Sequence, residues 1–290
     1  MSATTRMRLD QLIVERGLAE TRTRAQALVL AGKVRVGVGD AVRTDKKAGD
    51  LVDASVPIEL SEELPYVSRG GQKLEAPMDA FAVDPKGHVC LDVGASTGGF
   101  TDLLLQRGAA RVYALDVGRG QLSERLRRDS RVISLERTNA RLLRAGFLPE
   151  TVSLAVIDVS FISLALVLGP AARCFGPDGG RIVALVKPQF EAGKGRAPGG
   201  VVRDPAVHLE VLERASRHGL GLGRGLAGVV ASPLLGPSGN REFFIVFQVP
   251  AGWAARHGSE PAPAAGPGSG DAPILPHEWS GQLRQLAEVA

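Results

Sequence analysis

From His88 onward, short apolar runs alternate with amphipathic segments of helical spacing. Apolar runs of this length, bounded by glycine or acidic residues, are typical of strands that are buried on both faces of a sheet. The runs that we predict as strands are HVCLDV, RVYALDV, RVISLERT, VSLAVIDV, RIVALVK, GLAGVVASPLLG and REFFIVFQV. Their alternation with helices predicts an α/β domain with a mostly parallel seven-stranded sheet and helices on both faces.

The first sixty residues follow a different pattern. RLDQLIVERGL and ETRTRAQALVLAGK each place apolar residues on one helical face and end at a glycine, which predicts two short helices. KVRVGVGDAV predicts a hairpin, and DLVDASVPIEL predicts a further strand. We therefore expect a small α+β domain at 6–60 and the larger domain at 87–250.

Two segments join or follow these domains. Residues 61–86 are expected to form a linker, with Gly70–Gly71 as a hinge and a connecting helix from about Gln72 to Phe81. Pro77 predicts that this helix is kinked or starts later. After Ala251 the chain is rich in proline, alanine and glycine, which predicts a low-complexity, disordered tail at 251–290. Within this tail, HEWSGQLRQLAEV is a candidate for a short terminal helix, to which we assign no function.

One apolar stretch, from Thr151 to Ala172, is long enough to span a membrane. Asp158 inside it and the Gly169–Pro170 break favour a strand, a loop and a helix instead. No apolar leader follows Met1, and the two cysteines are far apart without metal-ligand spacing. We therefore expect a cytoplasmic protein with reduced thiols and no metal site.

The positive charge of the chain is concentrated at its N-terminus. The formal net charge is +4, and residues 1–50 contain ten basic and six acidic residues, a difference that accounts for all of it. A local basic surface attracts polyanions such as nucleic acids, although a merely solvated surface is the alternative. The candidate binding residues are Arg6, Arg8, Arg22, Arg24, Lys33 and Arg35.

A glycine-rich turn, Gly94-Ala95-Ser96-Thr97-Gly98-Gly99, follows the first strand of the larger domain. It lacks the second glycine of the dinucleotide fingerprint and the Gly-Lys-Ser/Thr of a phosphate-binding loop. Asp92 ahead of the turn would repel a pyrophosphate but attract a cation, and Asp116 after the second strand is placed to accept ribose hydroxyls.

This combination fits S-adenosylmethionine, which has a ribose, an ammonium and a sulfonium but no phosphate. The closing aromatic strand REFFIVFQV also favours a methyltransferase over a dehydrogenase. A dinucleotide-dependent enzyme and an unrelated α/β enzyme remain as alternatives.

Four polar residues lie where the predicted fold would bring them to one crevice. Asp158 and Lys187 end buried strands, Glu242 opens the last strand, and Lys73 lies in the linker. Each residue alone is typical of a structural ion pair, but two lysines and two acids together suit methylation of a hydroxyl group. A lysine can remove the hydroxyl proton when desolvation or a neighbouring cation favours its neutral form. Attack on a sulfonium methyl then needs mainly alignment.

Four ordered motifs resemble the TlyA family, whose members are also labelled haemolysin A. They are RLDQLIVERGL…TRTRAQALVLAGKVRV, YVSRGGQKL, LDVGASTGGFTDLLLQRGA and KPQFEAGKG…GGVVRDP. The resemblance covers about residues 6–250 and implies an S4-like RNA-binding domain before an FtsJ/RrmJ-like domain with a Rossmann-like class I methyltransferase fold. It implies methylation of cytidine 2′-hydroxyls in 16S and/or 23S ribosomal RNA with S-adenosylmethionine. Ribosomal RNA or ribosomal subunits would be the partners, with no membrane involved.

By the same resemblance, the Lys-Asp-Lys-Glu tetrad of the family falls on Lys73, Asp158, Lys187 and Glu242. Lys187 is then the expected base, Asp158 and Glu242 orient it, and Lys73 tunes the charge or positions the ribose. The implied cofactor-binding residues are Asp92, Gly94, Ala95, Ser96, Thr97, Gly98, Gly99, Phe100, Asp116, Val117 and Asn139.

Two departures from the family and two rival functions accompany this resemblance. The tail after Ala251 matches no part of the family. The S4 hairpin reads Val36-Gly37-Val38-Gly39 where the family has Val-Asn-Gly. The haemolysin label suggests a membrane-active protein, but the sequence offers no sufficiently hydrophobic amphipathic basic helix. A non-catalytic RNA-binding factor in ribosome assembly is the other alternative, and the complete tetrad argues against it.

Overall fold

The computed structural model describes residues 6–30, 33–37, 43, 46–60, 65–223, 225–236, 238–257 and 277–288. The chain divides into two compact units, residues 1–64 and residues 65–290. The predicted hairpin turn after Gly37 lies outside the described residues.

The described residues of the smaller unit form two helices and two antiparallel two-stranded sheets, β1 with β3 and β2 with β4. Leu9, Leu12 and Ile13 of the first helix face a common core, as the apolar spacing predicted. The elements are β1 (Arg6–Arg8), α1 (Leu9–Glu15), α2 (Arg22–Leu30), β2 (Val34–Val36), β3 (Leu51–Asp53) and β4 (Ile58–Leu60).

The segment DLVDASVPIEL forms two strands rather than the single strand that we predicted. Asp53 ends β3, and its carboxylate accepts hydrogen bonds from both the backbone N–H and the hydroxyl of Ser55. This side-chain turn directs the chain away from the β3 line, so β4 pairs with β2 instead.

The larger unit contains a seven-stranded sheet in the order β10-β11-β9-β8-β5-β6-β7. β5 to β9 are parallel, and β11 is antiparallel to both of its neighbours, which confirms the mostly parallel sheet. The strands are β5 (Val89–Val93), β6 (Arg111–Leu115), β7 (Val132–Leu135), β8 (Leu154–Ile157), β9 (Gly180–Val186), β10 (Gly225–Ala231) and β11 (Phe243–Val249).

Helices cover both faces of this sheet. Leu74 and Leu103 pack in the core on one face, and Val167, Val211 and Leu283 pack on the other. The helices are α3 (Arg69–Ala80), α4 (Gly99–Gln106), α5 (Glu124–Arg127), α6 (Ala165–Ala172), α7 (Pro188–Glu191), α8 (Pro205–Gly221), α9 (Trp253–His257) and α10 (His277–Glu288), with 3₁₀ turns at Ala140–Leu142 and Pro198–Gly200.

The order of the strands reverses at β5, because β6 and β7 lie on one side of it while β8 and β9 lie on the other. Ligands of open α/β sheets bind beyond the carboxyl ends of the strands at such a switch point. The glycine-rich turn that leaves β5 therefore lies where a ligand is expected.

The prediction that Gly70–Gly71 is a hinge is wrong, because both glycines lie in the first turn of α3. Ser68 caps this helix by accepting a hydrogen bond from the Gly70 N–H. A Cβ on Gly71 would lie 2.2 Å from the Tyr66 ring, so this glycine permits close packing rather than movement. The helix also continues through Pro77.

The prediction of a disordered tail is wrong at α9, whereas the candidate terminal helix within the tail is present as α10. α9 follows Ala251 closely, and α10 packs its buried Leu283 within the core on the α8 face. The apolar residues of this last helix recur at helical spacing and form one face that can be buried. The preceding low-complexity segment, 258–276, lies outside the described residues.

The apolar segment 151–172 forms β8, a loop and α6. Among the residues described, no helix combines the length and the apolar character that a membrane span requires.

Candidate active site

Three members of the tetrad lie at the ends of neighbouring strands. Lys187 directly follows β9 and Glu242 directly precedes β11, and these strands pair with Val186 opposite Phe243. Asp158 directly follows β8, which pairs with β9. The register therefore brings two acids and a lysine to the same edge of the sheet.

The tetrad forms two ion pairs. Lys187 Nζ lies 2.5 Å from Asp158 Oδ1 and donates a hydrogen bond of 2.9 Å to Ser160 Oγ. Lys73 Nζ, supplied by α3, lies 2.6 Å from Glu242 Oε2. The Lys73 and Glu242 side chains are only 11% and 1% exposed, so this pair is almost completely removed from solvent.

The Lys187–Asp158 pair is joined to the glycine-rich turn through the backbone. The Asp158 N–H donates to the Val93 carbonyl at 2.9 Å, and Gly94 follows Val93. A Cβ on Gly94 would lie 2.1 Å from the Asp158 carbonyl oxygen, and the φ of Gly94 is +85°. Only glycine combines this left-handed backbone with so close an approach.

The turn itself is held by backbone hydrogen bonds to β6. Gly94 and Ala95 donate to the Leu115 carbonyl, and Ser96 donates 2.8 Å to Asp116 Oδ2. Asp116 Oδ1 accepts from Gly118 N at 2.7 Å. Each carboxylate oxygen can accept more than one hydrogen bond, so Asp116 can still accept hydroxyl donors from a ligand.

A pocket lies beside Asp116 at the carboxyl ends of β5, β6 and β7. Of its lining, we predicted Ala95, Ser96 and Asp116 as cofactor-binding residues, and sequence reasoning missed the rest. The sequence did contain a pattern that could have indicated Glu136 as a ligand-binding residue, because this acid directly follows the third strand as Asp116 follows the second. The missed residues are Ala114, Gly118, Gln121, Leu122, Ser134 and Glu136.

Asp92 lies at the end of β5 and is completely buried. Its Oδ2 accepts 2.7 Å from the Thr101 hydroxyl, while Oδ1 has no hydrogen-bond partner among the described residues. Burial raises the pKa of Asp92 to about 7, and the nearby Asp158 and Asp116 carboxylates also raise it. An unsatisfied buried carboxylate oxygen beside a bare glycine turn fits a cationic ligand such as S-adenosylmethionine.

Several of the predicted cofactor-binding residues do not line the pocket beside Asp116. Phe100 is buried in the core, with its ring centroid 6.1 Å from that of Phe244. The Asn139 side chain caps a 3₁₀ turn by accepting from Arg141 N. Val117 is 71% exposed. Gly98, at φ +100°, and Gly99 begin α4 as the glycine-rich turn predicted, and the carbonyl of Thr97 accepts from Ser123 N.

An aromatic pair next to Asp158 and Lys187 in the sequence was missed by the sequence analysis. Phe161 is 90% exposed, and its ring centroid lies 4.7 Å from that of Phe190. The φ of Phe161 is +63°, a strained conformation for an aromatic residue. A large exposed ring on a strained backbone beside a tetrad is typical of a functional residue.

Asn240 was missed as well, although it is almost completely buried. Its Oδ1 accepts from Val202 N at 2.9 Å, and its Nδ2 donates to the Gly200 carbonyl at 2.8 Å. Asn240 therefore ties the loop GGVVRD to the segment that leads into Glu242. No local pattern signals this bridge, because it joins two loops that are distant in the chain.

Both cysteines are free and buried, and burial raises the pKa of each thiol to about 12, so both remain protonated. Nowhere in the described ranges do three or more His, Cys, Asp or Glu side chains form a group suited to a metal ion.

A mostly parallel seven-stranded sheet, a glycine-rich turn at its switch point and polar residues converging on its strand ends define a Rossmann-like class I methyltransferase. Residues 66–249 match the family described as FtsJ-like methyltransferase, and residues 7–37 match the S4 domain. The chain belongs to the FtsJ-like methyltransferase family, with an S4 domain at its N-terminus.

Among its relatives is the 16S/23S rRNA (cytidine-2′-O)-methyltransferase TlyA of Mycobacterium tuberculosis, which is 49% identical over 83% of this chain and 89% of that protein. Hemolysin A of Brachyspira hyodysenteriae is 39% identical over 83% of this chain and 99% of its own length. A solved hemolysin-named structure from Streptococcus thermophilus superposes with a TM-score of 0.69 at 38% identity, covering 99% of this chain and 96% of that one. Proteins named hemolysin are thus similar to this chain over nearly the same length as the methyltransferase TlyA is.

Proposed function

We propose that this protein methylates the 2′-hydroxyl of cytidine in ribosomal RNA, 16S and/or 23S, with S-adenosylmethionine as the methyl donor. The observation that carries the proposal is the Lys187–Asp158 ion pair, whose acid contacts the glycine-rich turn through Gly94. A base and a cofactor turn in direct backbone contact suit transfer of a small group to a hydroxyl that is held between them.

The cofactor supplies a methyl group that is activated by a positively charged sulfur. The unpaired Oδ1 of Asp92, beside the glycine-rich turn, would receive its cationic part, and Asp116 would accept its ribose hydroxyls. These residues bind and orient, and the chemistry of the hydroxyl depends on the tetrad.

Lys187 is the proposed base. Its Nζ, in the neutral form, accepts the proton of the ribose 2′-hydroxyl, and the oxygen becomes the nucleophile. Asp158 Oδ1 and Ser160 Oγ hold the nitrogen from two sides and stabilise the ammonium that results. Placement of the base in this way is itself a large part of catalysis.

Lys73 and Glu242 form the second half of the proposed machinery. Glu242 Oε1 is buried and has no hydrogen-bond partner among the described residues, and Glu242 acts by orienting Lys73. Lys73 holds the other carboxylate oxygen and keeps a positive charge near the developing anion.

Two features support RNA as the substrate. The S4 unit supplies the exposed basic residues Arg6, Arg24 and Arg35. The Phe161–Phe190 pair offers an exposed aromatic surface, and proteins commonly hold unpaired RNA bases by stacking them on aromatic rings. Both features favour a polynucleotide over a small hydroxyl compound.

The test is transfer of labelled methyl groups to 16S and 23S ribosomal RNA and to intact subunits, followed by mapping of 2′-O-methylated positions. We expect Lys187→Ala to bind cofactor and RNA normally but to lose at least a hundredfold in transfer rate. Lys194→Ala is the matched control, because Lys194 is exposed and close in the chain to Lys187. Undiminished transfer by Lys187→Ala would contradict the mechanism, and no transfer by the unaltered protein to either RNA would contradict the function.

A further inference from the structure

Asp10 is a completely buried carboxylate in the first turn of α1. Its Oδ1 accepts 3.1 Å from Arg8 Nε, and its Oδ2 accepts 3.0 Å from Arg8 Nη2, which is a two-point fork. The same Oδ2 also accepts 3.0 Å from Arg22 Nη2 and 2.8 Å from Gln26 Nε2. One acid therefore ties strand β1 and helices α1 and α2 together.

The two arginines differ from their acid in exposure. The side chains of Arg8 and Arg22 are 43% and 49% exposed, while that of Asp10 is 0% exposed. Both Nη2 atoms lie 3.0 Å from the same oxygen, so the two guanidinium groups are close neighbours. Arg8 Nη1 and the Nε and Nη1 atoms of Arg22 make no hydrogen bond within the described part of the chain and can donate to a further acceptor.

A buried acid paired with two half-exposed cations is an expensive way to join three elements, because the acid loses its hydration. The hydrogen bond from Arg8 is the largest influence that holds the pKa of Asp10 well below its ordinary value, so the carboxylate stays ionised throughout the physiological range. The two cations are thus held in fixed positions at every relevant pH.

We propose that Asp10 is a positioning residue for RNA binding, which holds Arg8 and Arg22 as a preorganised pair for the phosphate backbone. This inference rests on the proposed function, since it names how the S4 unit presents its charge to ribosomal RNA. Guanidinium groups bind phosphate by paired hydrogen bonds, and their geometry matters as much as their charge. A flexible arginine must be ordered when it binds, whereas one held by Asp10 is ordered in advance.

The variant Asp10→Asn separates this role from simple electrostatics. It removes one negative charge from a basic surface, so attraction to a polyanion alone predicts tighter binding or no change. The positioning role predicts the opposite sign, a loss on the order of tenfold in affinity, because two side chains become free to move. The slope of log Kd against log salt concentration should also fall in magnitude by about one to two, because about one to two phosphate contacts are lost.

The measurement is titration of the full-length protein against transcripts of 16S and 23S ribosomal RNA at several salt concentrations. Arg22→Ala and Arg24→Ala are a matched pair, because Arg24 is exposed on the same helix and makes no side-chain bond to Asp10. We expect Asp10→Asn to be non-additive with Arg22→Ala and additive with Arg24→Ala. Thermal melting of each variant establishes that it is folded.

Should Asp10→Asn fail to fold, Asp10→Glu provides the second test. It retains the charge but lengthens the side chain, which displaces both guanidinium groups, so weaker RNA binding is again expected. A folded Asp10→Asn that binds RNA as tightly as the unaltered protein would overturn the positioning role while leaving the proposed function intact. Absence of RNA binding and methyl transfer in the unaltered protein would instead refute the proposed function.

Discussion

Lys73 Nζ lies 2.6 Å from Glu242 Oε2, although 169 positions separate the two residues in the chain. The contact depends on the early start of α3 at Arg69, which places Lys73 in the second turn of the helix. Glu242 is fixed from the other side, because its carbonyl accepts a hydrogen bond from Ser232 N at 2.8 Å. Two distant segments thus meet in one buried ion pair.

Removal of one partner of this pair should cost more stability than removal of both. Glu242→Leu leaves the Lys73 ammonium buried and unpaired, which should lower the free energy of unfolding by roughly 3–5 kcal/mol. Lys73→Met combined with Glu242→Leu should recover most of that loss, while methyl transfer stays abolished in both variants. Denaturant unfolding and a transfer assay measure the two effects separately. A double variant that still transfers methyl groups would show that the pair is only structural.

The close approach of Gly94 to Asp158 predicts that substitution of this glycine weakens cofactor binding as well as stability. Gly94→Ala meets both a φ of +85° and a Cβ position 2.1 Å from the Asp158 carbonyl oxygen. Gly87 precedes the opposite end of β5 with a φ of +75°, and a Cβ added there would meet no atom within 4 Å beyond its chain neighbours. Gly87→Ala therefore tests backbone strain alone, which should cost about 1–2 kcal/mol.

We expect Gly94→Ala to lose more stability than Gly87→Ala and also to lose measurable S-adenosylmethionine binding by calorimetry. Gly87→Ala should bind the cofactor as the unaltered protein does. Equal cofactor affinity in the two variants would show that the turn at Gly94 is not part of the cofactor site.

The parts of the site that lie at strand ends could be predicted from sequence, because buried strands are visible as apolar runs and their ends follow directly. Asp158, Lys187 and Glu242 are of this kind. The missing parts depend on contacts between segments. α3 starts at Arg69 rather than at Gln72, where Gly71 packs on Tyr66, and the bridge from Asn240 to Gly200 joins two loops that carry no periodic pattern.

The exposed aromatic pair leads to a prediction about stability and activity together. Phe161→Asn removes a ring that is 90% exposed and replaces it with a residue that tolerates the φ of +63°. Stability should therefore be unchanged or slightly higher, while methyl transfer to RNA should fall roughly tenfold or more through lost base stacking. Cofactor affinity is the internal control and should not change. A variant with normal transfer would assign the strain at Phe161 to the loop rather than to the substrate.

The buried acid of the glycine-rich turn gives the protein a specific pH dependence. The pKa of Asp92 is raised from 3.8 to about 7, so between these values the folded protein keeps a proton that the unfolded chain has released. The stabilisation from this proton is present at low pH and is lost as the pH rises through about 7. Asp92→Asn has no proton to lose, so its stability relative to the unaltered protein should increase from pH 5 to pH 8 in matched thermal melts.

The same proton should govern cofactor binding. A cation placed against Asp92 favours the carboxylate, so S-adenosylmethionine binding should release a proton and become tighter as the pH rises from 6 to 8. Calorimetry in two buffers of different ionisation enthalpy measures that release directly. Asp92→Asn should bind more weakly and with no such pH dependence. Proton release that persists in Asp92→Asn would assign the titrating group elsewhere and would remove Asp92 from the cofactor site.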